Sequence, residues 1–305
     1  MIDFIGDIHG HADELEALLK KLGYSIKNGN YHHSDRTVMF IGDYIDRGPK
    51  IVETLQIVRR MVDAGDAIAL MGNHEYNAIC FHMKNKKGVP LRLHLPKNIH
   101  QHKKTIEQFH SMSKGKTQFK EYIDWFKTLP LFYEGINFRA VHACWDINNI
   151  TFLKKRLKHG KLNDNFFWGS VQKGSKLFVA IDETLKGKEI PVPLGHLFED
   201  PEQNTREEMR IKWWADPITT SYRELSFPRV DTLPDKLVDK SVFKSPNYYT
   251  DKVPVFFGHY WLKGKIKDYG SNICCLDYSV AKDGVLAAYR FDGEAKVDIE
   301  KFVVV

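Results

Sequence analysis

The sequence has little cysteine and no long apolar run. Only four of its 305 residues are cysteines, and none of them form a C-x-x-C pair, so a zinc ribbon or a thioredoxin-like redox motif is not expected. No apolar stretch approaches the roughly 18–20 residues that a membrane-spanning helix needs. The N-terminal segment lacks a positively charged region and is interrupted by Asp3 and Asp7, which argues against a secretory signal. We therefore expect a cytoplasmic protein with reduced, buried thiols and no membrane contact.

The sequence also has only a small excess of positive charge, with a net charge of +6 over the whole chain. The exception is the segment 82–120, which contains ten Lys or Arg, five His and one acidic residue, Glu107. Such a segment either attracts phosphate-bearing partners or forms a solvated surface, and the second interpretation is the simpler one. A separate metal site is not favoured, because no other ligand types accompany the histidines at 94, 100, 102 and 110.

The first 75 residues predict strands that alternate with helices. The apolar runs 2–5, 38–41 and 67–71 are short enough for strands, and the stretches between them carry apolar residues at helical spacing. This β-α-β-α-β order implies parallel strands with right-handed crossovers. Further strands are expected at 138–141 and 255–257, and a closing pair of strands at 273–276 and 285–291.

Residues that can bind a metal follow these strands at the point where each strand ends. In open α/β sheets, ligands bind beyond the carboxyl ends of the strands. Carboxylate, imidazole and amide groups together suit a first-row divalent ion, with manganese favoured and iron, zinc or nickel possible, better than magnesium. His196 is a weaker candidate. The predicted ligands of two metal ions are Asp7, His9, Asp43, Asn73, His142 and His259.

Asp43 follows the middle strand, so its carboxylate is predicted to bridge the two ions. Two bridged ions lower the pKa of a shared water, and the resulting hydroxide can attack a phosphate ester or anhydride in line with the leaving oxygen. In this arrangement one ion is held by Asp7 and His9, and the other by Asn73, His142 and His259.

His74 directly follows Asn73 and is predicted to be the general acid that protonates the leaving oxygen. Side chains alternate along an extended chain, so His74 is expected to point away from the metal bond of Asn73 and toward the substrate. Asp46 is expected to fix the tautomer of His74 and to raise its pKa. Arg47 lies on the same loop and can bind phosphate oxygens with its forked donors.

Three blocks of the sequence resemble the calcineurin-like metallophosphoesterases. They are Gly6-Asp7-Ile8-His9-Gly10, Gly42-Asp43-Tyr44-Ile45-Asp46-Arg47-Gly48 and Gly72-Asn73-His74-Glu75. The resemblance is closest to the branch that contains the serine/threonine protein phosphatases and the bacterial diadenosine tetraphosphatases. The fourth block of the family reads His-Gly-Gly or His-Ala-Gly, whereas this chain has His142-Ala143-Cys144.

The resemblance implies an α/β fold in which two sheets lie between helices, a four-layer α-β-β-α sandwich with a helical or loop insertion. It implies a single domain over 1–305 with insertions near 82–120 and 151–250. It implies the metal ligands and catalytic residues given above. The family also has a second phosphate-binding arginine, for which Arg210 is the candidate and Arg206 the alternative.

The predicted function is the metal-dependent hydrolysis of phosphate monoesters or anhydrides. The first hypothesis for the substrate class is that of a protein serine/threonine phosphatase. A dinucleoside polyphosphate hydrolase and a nucleic-acid end phosphatase stay open, because all three share one metal core. Two alternatives without catalysis are a polyanion-binding scaffold on the same fold and a nucleic-acid-binding module with salt-dependent affinity. The oligomeric state is not predicted. Four tryptophans could stack on a base but are more typical of a core: Trp145, Trp168, Trp213 and Trp214.

Overall fold

The structure, a computed structural model, describes residues 1–199, 205–239, 242, 252–270 and 272–305. The α-helices are α1 Ala12–Lys21, α2 Ile51–Asp63, α3 Asn73–His82, α4 Pro96–His110, α5 Gly115–Phe126, α6 Ile147–Lys154, α7 Asp164–Ser170, α8 Lys176–Lys186 and α9 Tyr222–Leu225. The strands are β1 Ile2–Ile5, β2 Ser25–Lys27, β3 Asn30–His32, β4 Thr37–Phe40, β5 Ala67–Ala69, β6 Phe132–Glu134, β7 Arg139–Val141, β8 Glu189–Pro191, β9 Phe198–Glu199, β10 Thr205–Arg206, β11 Glu208–Arg210, β12 Val255–Phe257, β13 Ile273–Cys275, β14 Asp277–Tyr278, β15 Val285–Phe291 and β16 Phe302–Val304.

The first large sheet joins the N-terminal strands to the C-terminal ones. Its order is β14-β15-β1-β4-β5, and β16 pairs with β15. The three strands β1, β4 and β5 run parallel, which confirms the predicted β-α-β-α-β unit. β15 lies antiparallel to β1 on the other side. The β2–β3 hairpin between α1 and β4 was not predicted.

The second large sheet has the order β13-β12-β7-β6. Strands β7, β12 and β13 are parallel, and β6 is antiparallel to β7. Strands are present at 273–275 and 285–291 as predicted, but they do not pair with each other. β13 pairs with β12, whereas β15 belongs to the first sheet. The chain changes sheets at Leu276, and an apolar run predicts a strand but not its partner.

The two sheets pack face to face through aromatic side chains. Phe4 of β1 stacks on Phe256 of β12, with ring centroids 3.8 Å apart and planes 8° from parallel. Side chains alternate along a strand, so Ile5 points the other way and packs with the buried leucines of α1. Phe257 packs on Trp213 on the outer side of the second sheet. The fold is therefore the expected α/β sandwich, with helices outside both sheets.

The basic segment 82–120 contains α4 and the first half of α5 and is not a purely solvated surface. One face of α4 is buried through Asn98, His102, Thr105 and Phe109. The exposed face keeps the lysines, so the expectation of a solvated surface holds for one side of the helix only.

No helix in the described part of the chain is long and apolar enough to cross a membrane. The four cysteines are free and buried, in agreement with the expectation of reduced thiols. Trp145, Trp213 and Trp214 are also buried, as expected of core residues. The cytoplasmic location and the division into one domain with two insertions stay predictions.

Candidate metal centre and active-site cleft

The six predicted ligands come together where strands of both large sheets end. Asp7 and His9 follow β1, Asp43 follows β4 and Asn73 begins α3 just after β5. His142 follows β7 and His259 follows β12, so the second sheet contributes the two remaining imidazoles. The packing of one sheet on the other therefore assembles the site.

The backbone at this site is held in unusual conformations. Ten described non-glycine residues have a positive φ angle, a region that side chains with a Cβ disfavour. Such conformations are costly and persist where surrounding structure imposes them, often at functional sites. Five of the ten are site residues: His9, Asp43, Asp46, Arg47 and His259.

Two glycines permit the close approach of the ligand loops. Gly42 has a φ of +110°, and a Cβ there would lie 2.6 Å from the Cα of Gly72. A Cβ on Gly258 would lie 1.9 Å from Oδ1 of Asp7. Any larger residue at these positions would push the ends of the strands apart.

His9 presents an electron pair to Asp43. Its Nδ1 donates a hydrogen bond of 2.9 Å to the carbonyl oxygen of Ile45, which assigns the ring proton to Nδ1. Its Nε2 lies 3.5 Å from Oδ2 of Asp43. Burial, reinforced by His74, lowers the pKa of His9 to about 3, so the ring is neutral. A lone pair that faces a carboxylate is repelled unless a cation lies between them.

His142 is arranged in the same way. Its Nδ1 donates to the carbonyl oxygen of Ile41 at 3.0 Å, and burial lowers its pKa. Its Nε2 lies 3.0 Å from Oδ1 of Asn73 and 3.5 Å from Oδ1 of Asp43. The chain has Cys144 where the family pattern ends in glycine, and this departure leaves His142 inside the site.

His259 completes this side of the site. Its Nδ1 lies 2.8 Å from Oδ1 of Asn73, the atom that His142 also faces. Burial, with Arg210 as the next cause, lowers the pKa of His259 well below its usual value. Its main-chain N–H donates to the carboxylate of Asp7. Three ligand atoms thus converge on one point, as in a metal site with mixed nitrogen and oxygen donors.

The donor set fits two divalent ions. The ligand atoms of His9, Asp43 and His74 lie within 4.8 Å of one another, and so do those of Asp43, His142 and His259. Asp43 belongs to both groups, as a bridging carboxylate must. Asp7 belongs to neither group, but burial and the carboxylates of Asp277 and Asp43 raise its pKa well above the usual value. Positive charge at the site would offset that repulsion.

His74 lies in contact with Asp46 as predicted, but the reason given for its direction is wrong. Asn73 and His74 are the first two residues of α3, so their side chains do not alternate as they would in a strand. Nδ1 of His74 donates to Oδ2 of Asp46 at 2.6 Å, and Nε2 lies 3.9 Å from Oδ2 of Asp43. Burial opposes the charged ring, but the two carboxylates raise the pKa of His74 overall.

The sequence reasoning gave no role to Glu75, which fixes the ligand loop. Its carboxylate accepts the main-chain N–H groups of Asp43 and Tyr44 at 2.9 Å and that of Gly72 at 3.0 Å. The signal was available, because Glu75 is the third residue of α3 and such a position suits a capping box. Glu75 thereby holds the turn that carries Asp43.

A cleft of about 960 Å³ leads outward from these ligands, and Arg47 and Arg210 both line it. Nη2 of Arg210 lies 3.7 Å from Oε1 of Glu189, while its Nε is buried without a partner among the described residues. Arg206 lines the same wall, so it stays the alternative to Arg210. His196 is exposed and belongs to neither ligand group.

The family model for calcineurin-like phosphoesterases matches residues 1–260. The chain belongs to the calcineurin-like phosphoesterases. This family implies divalent metal ions, and the two ligand groups around Asp43 are the candidate site for them.

Relatives of this calcineurin-like phosphoesterase include two kinds of tetraphosphatase. The asymmetrical bis(5'-nucleosyl)-tetraphosphatase of Oceanobacillus iheyensis is 36% identical over 147 residues, which cover 47% of this chain and 55% of the relative. The match thus spans about half the length of that relative. The symmetrical bis(5'-nucleosyl)-tetraphosphatase of Neisseria meningitidis is 27% identical over 97% of this chain and 94% of its own. A protein serine/threonine phosphatase structure from Saccharomyces cerevisiae is 11% identical, with a TM-score of 0.47 over 100% of this chain and 78% of its own.

Proposed function

We propose that this calcineurin-like phosphoesterase hydrolyses phosphate anhydride bonds in dinucleoside polyphosphates, with manganese as the preferred metal. The observation that carries the proposal is the position of the two ligand groups. They share the buried Asp43, and they lie at the inner end of a cleft whose walls carry Arg47 and Arg210. The names of the tetraphosphatase relatives support a substrate with several phosphates.

In this proposal the ligands are divided as the sequence suggests. When bound, the two ions supply a water of lowered pKa and neutralise charge on the phosphoryl oxygens. The main-chain N–H of His74 donates to Oδ1 of Asp43 at 2.9 Å and fixes that carboxylate. One ion would be held by Asp7, His9 and Asp43, and the other would be held by Asp43, Asn73, His142 and His259.

His74 acts as the general acid. Asp46 holds its ring through Nδ1, which leaves Nε2 as the atom that gives a proton to the leaving oxygen. The leaving group of an anhydride is a phosphate, a weaker base than an alkoxide, so proton donation helps it less than it helps an ester. Arg47 and Arg210, which both line the cleft, bind phosphate oxygens of the substrate.

A second cavity lies beside the cleft and shares part of its lining, which supports a substrate longer than a single phosphate ester. The second cavity has a volume of about 830 Å³, and Phe227, Arg229 and Trp261 line both spaces. Lys263 and Lys267 add positive charge at its wall. The indole of Trp261, which has Nζ of Lys282 3.9 Å from its ring centroid, adds an aromatic group. A nucleoside joined to a chain of phosphates matches an aromatic group that lies beside positively charged ones.

The test is a metal-reconstitution assay with a panel of substrates. The chelator-treated protein receives manganese, nickel, zinc or magnesium singly and is offered a dinucleoside tetraphosphate, a phosphopeptide and a 3'-phosphorylated oligonucleotide. We expect manganese to restore turnover, with kcat/KM highest for the dinucleoside tetraphosphate. Higher kcat/KM for the phosphopeptide would make the protein a phosphoprotein phosphatase, and near-equal values would reject any specific substrate class.

A further inference from the structure

The two carboxylate oxygens of Asp46 have separate partners. Oδ2 accepts the hydrogen bond from His74, whereas Oδ1 accepts hydrogen bonds from Nδ1 of His102 at 2.9 Å and from Oγ1 of Thr105 at 2.5 Å. Thr105 Oγ1 also accepts the main-chain N–H of Asp46 at 3.0 Å. His102 and Thr105 lie on α4, which none of the sequence blocks includes. Helix α4 therefore holds Asp46 from the side opposite His74.

These contacts are shielded from water. The exposed fractions are 1% for His74, 2% for Asp46, 4% for His102 and 0% for Thr105. The hydrogen bonds from His102 and His74 hold the pKa of Asp46 low although burial opposes ionisation. The carboxylate is therefore ionised and accepts at both oxygens. Hydrogen bonds to an ionised group in a buried site are the strong ones.

The far side of His102 is occupied as well. Nδ1 of His102 donates to Asp46, and on the other side of the ring its Nε2 lies 3.3 Å from Nε2 of His82. His82 is the last residue of α3, the helix that begins with Asn73 and His74. A chain of side-chain contacts thus connects the two ends of α3 through α4, and it runs from His82 through His102 and Asp46 to His74.

Helix α4 also reaches the second nitrogen of His74. Nε2 of Gln101 lies 3.3 Å from Nε2 of His74, and Gln101 lines the cleft. Nη2 of Arg92 donates to Oε1 of Gln101 at 2.6 Å.

We propose that His102 and Thr105 are positioning residues for the reaction, which act by fixing Asp46 and through it the ring of His74. The inference rests on the proposed hydrolytic function. A carboxylate anchored at one oxygen can rotate, whereas two further hydrogen bonds at the other oxygen hold its plane. A displacement of a reacting group by about 1 Å costs on the order of 10²-fold in rate.

The experiment compares paired variants on a substrate that the wild-type protein hydrolyses. His102→Leu and Thr105→Val remove the donors, while His102→Asn and Thr105→Ser keep a donor near the same place. His100→Leu is the matched control, because His100 is an exposed histidine of the same helix. We expect kcat to be roughly 10- to 100-fold lower in His102→Leu and in Thr105→Val than in the wild-type protein. KM and the content of two metal ions should stay unchanged in these variants. His102→Asn and Thr105→Ser should have most of the wild-type kcat.

A double-mutant cycle separates positioning from general damage to the fold. In the His74→Asn background, His102→Leu and Thr105→Val should cause no further loss, because the group that they position is gone. An equal loss in both backgrounds, or wild-type kcat in both single variants, would overturn the inference. If His102→Leu does not fold, Thr105→Val decides alone, since it changes only a hydroxyl to a methyl. A wild-type protein that hydrolyses no phosphate ester or anhydride would instead refute the proposed function.

Discussion

Four buried histidines of the proposed active site form two regions that differ in the group that accepts their ring N–H. His9 and His142 donate to main-chain carbonyl oxygens, and burial lowers the pKa of both. His74 and His102 donate to the carboxylate of Asp46, and the pKa of His74 is raised although burial opposes it. A carbonyl acceptor leaves the ring neutral, with a lone pair on its other nitrogen for a metal. A carboxylate acceptor favours the positively charged ring, in which both nitrogens carry a proton.

The two regions also depend on the sequence in different ways. A main-chain carbonyl is present whatever side chain its residue carries, so substitution at Ile41 or Ile45 does not remove the acceptor. The acceptor for His74 is a particular side chain, and its placement needs two more side chains from α4. We call His9 and His142 with the other metal ligands the metal region, and His74, His102 and Asp46 the acid region. Single substitutions can disrupt the acid region without removing a ligand of the metal region.

The largest effect is expected from Asp43→Asn, which removes the carboxylate that both ligand groups share. Without its charge, His9 and His142 lose their common partner, so we expect fewer than two metal ions per chain. We expect kcat to fall by at least roughly 10²–10³-fold, the loss that follows removal of one charge-stabilising group. Elemental analysis of the purified variant gives the metal content. Two retained ions would show that Asp43 is not the essential bridge.

His74→Asn tests the boundary between the regions, because His74 also falls within one ligand group. If His74 is the acid, both ions stay bound and kcat falls by about 10²–10⁴-fold. The loss should be greatest for substrates with poor leaving groups. Parallel rates on a series of aryl phosphates provide the check. A loss of one ion would move His74 into the metal region and remove the distinction.

Glu75→Gln is expected to have the smallest effect on the chemistry and to act through the main chain of the metal region. Oε2 of Glu75 accepts two main-chain N–H groups. An amide NH2 group in its place would face both N–H groups and could not accept a hydrogen bond from either. We expect a loss of about 1–3 kcal/mol in the free energy of unfolding. Urea denaturation measures it, with the exposed Glu53→Gln on α2 as the matched control. Unchanged stability would mean that the loop does not need this carboxylate.

The strands and the residues that follow them were predictable because short-range patterns encode them. The run 2–5 is the same in sequence and structure, and β4 and β5 differ from prediction only at their ends. The partner of β13 was not predictable, since an apolar run fits either sheet. The link between Asp46 and His102 was also missed, because 56 residues separate them and no local pattern joins them.

The sequence by itself determined the type of chemistry, because Gly-Asp, Gly-Asn and Gly-His follow short apolar runs, and ligands bind beyond the carboxyl ends of strands. Only the tertiary structure decided what each histidine can do there. The protonation of a buried imidazole depends on whether a carbonyl or a carboxylate accepts its N–H. That partner is brought into place by the packing of two sheets and of α4, which involves residues far apart in the chain.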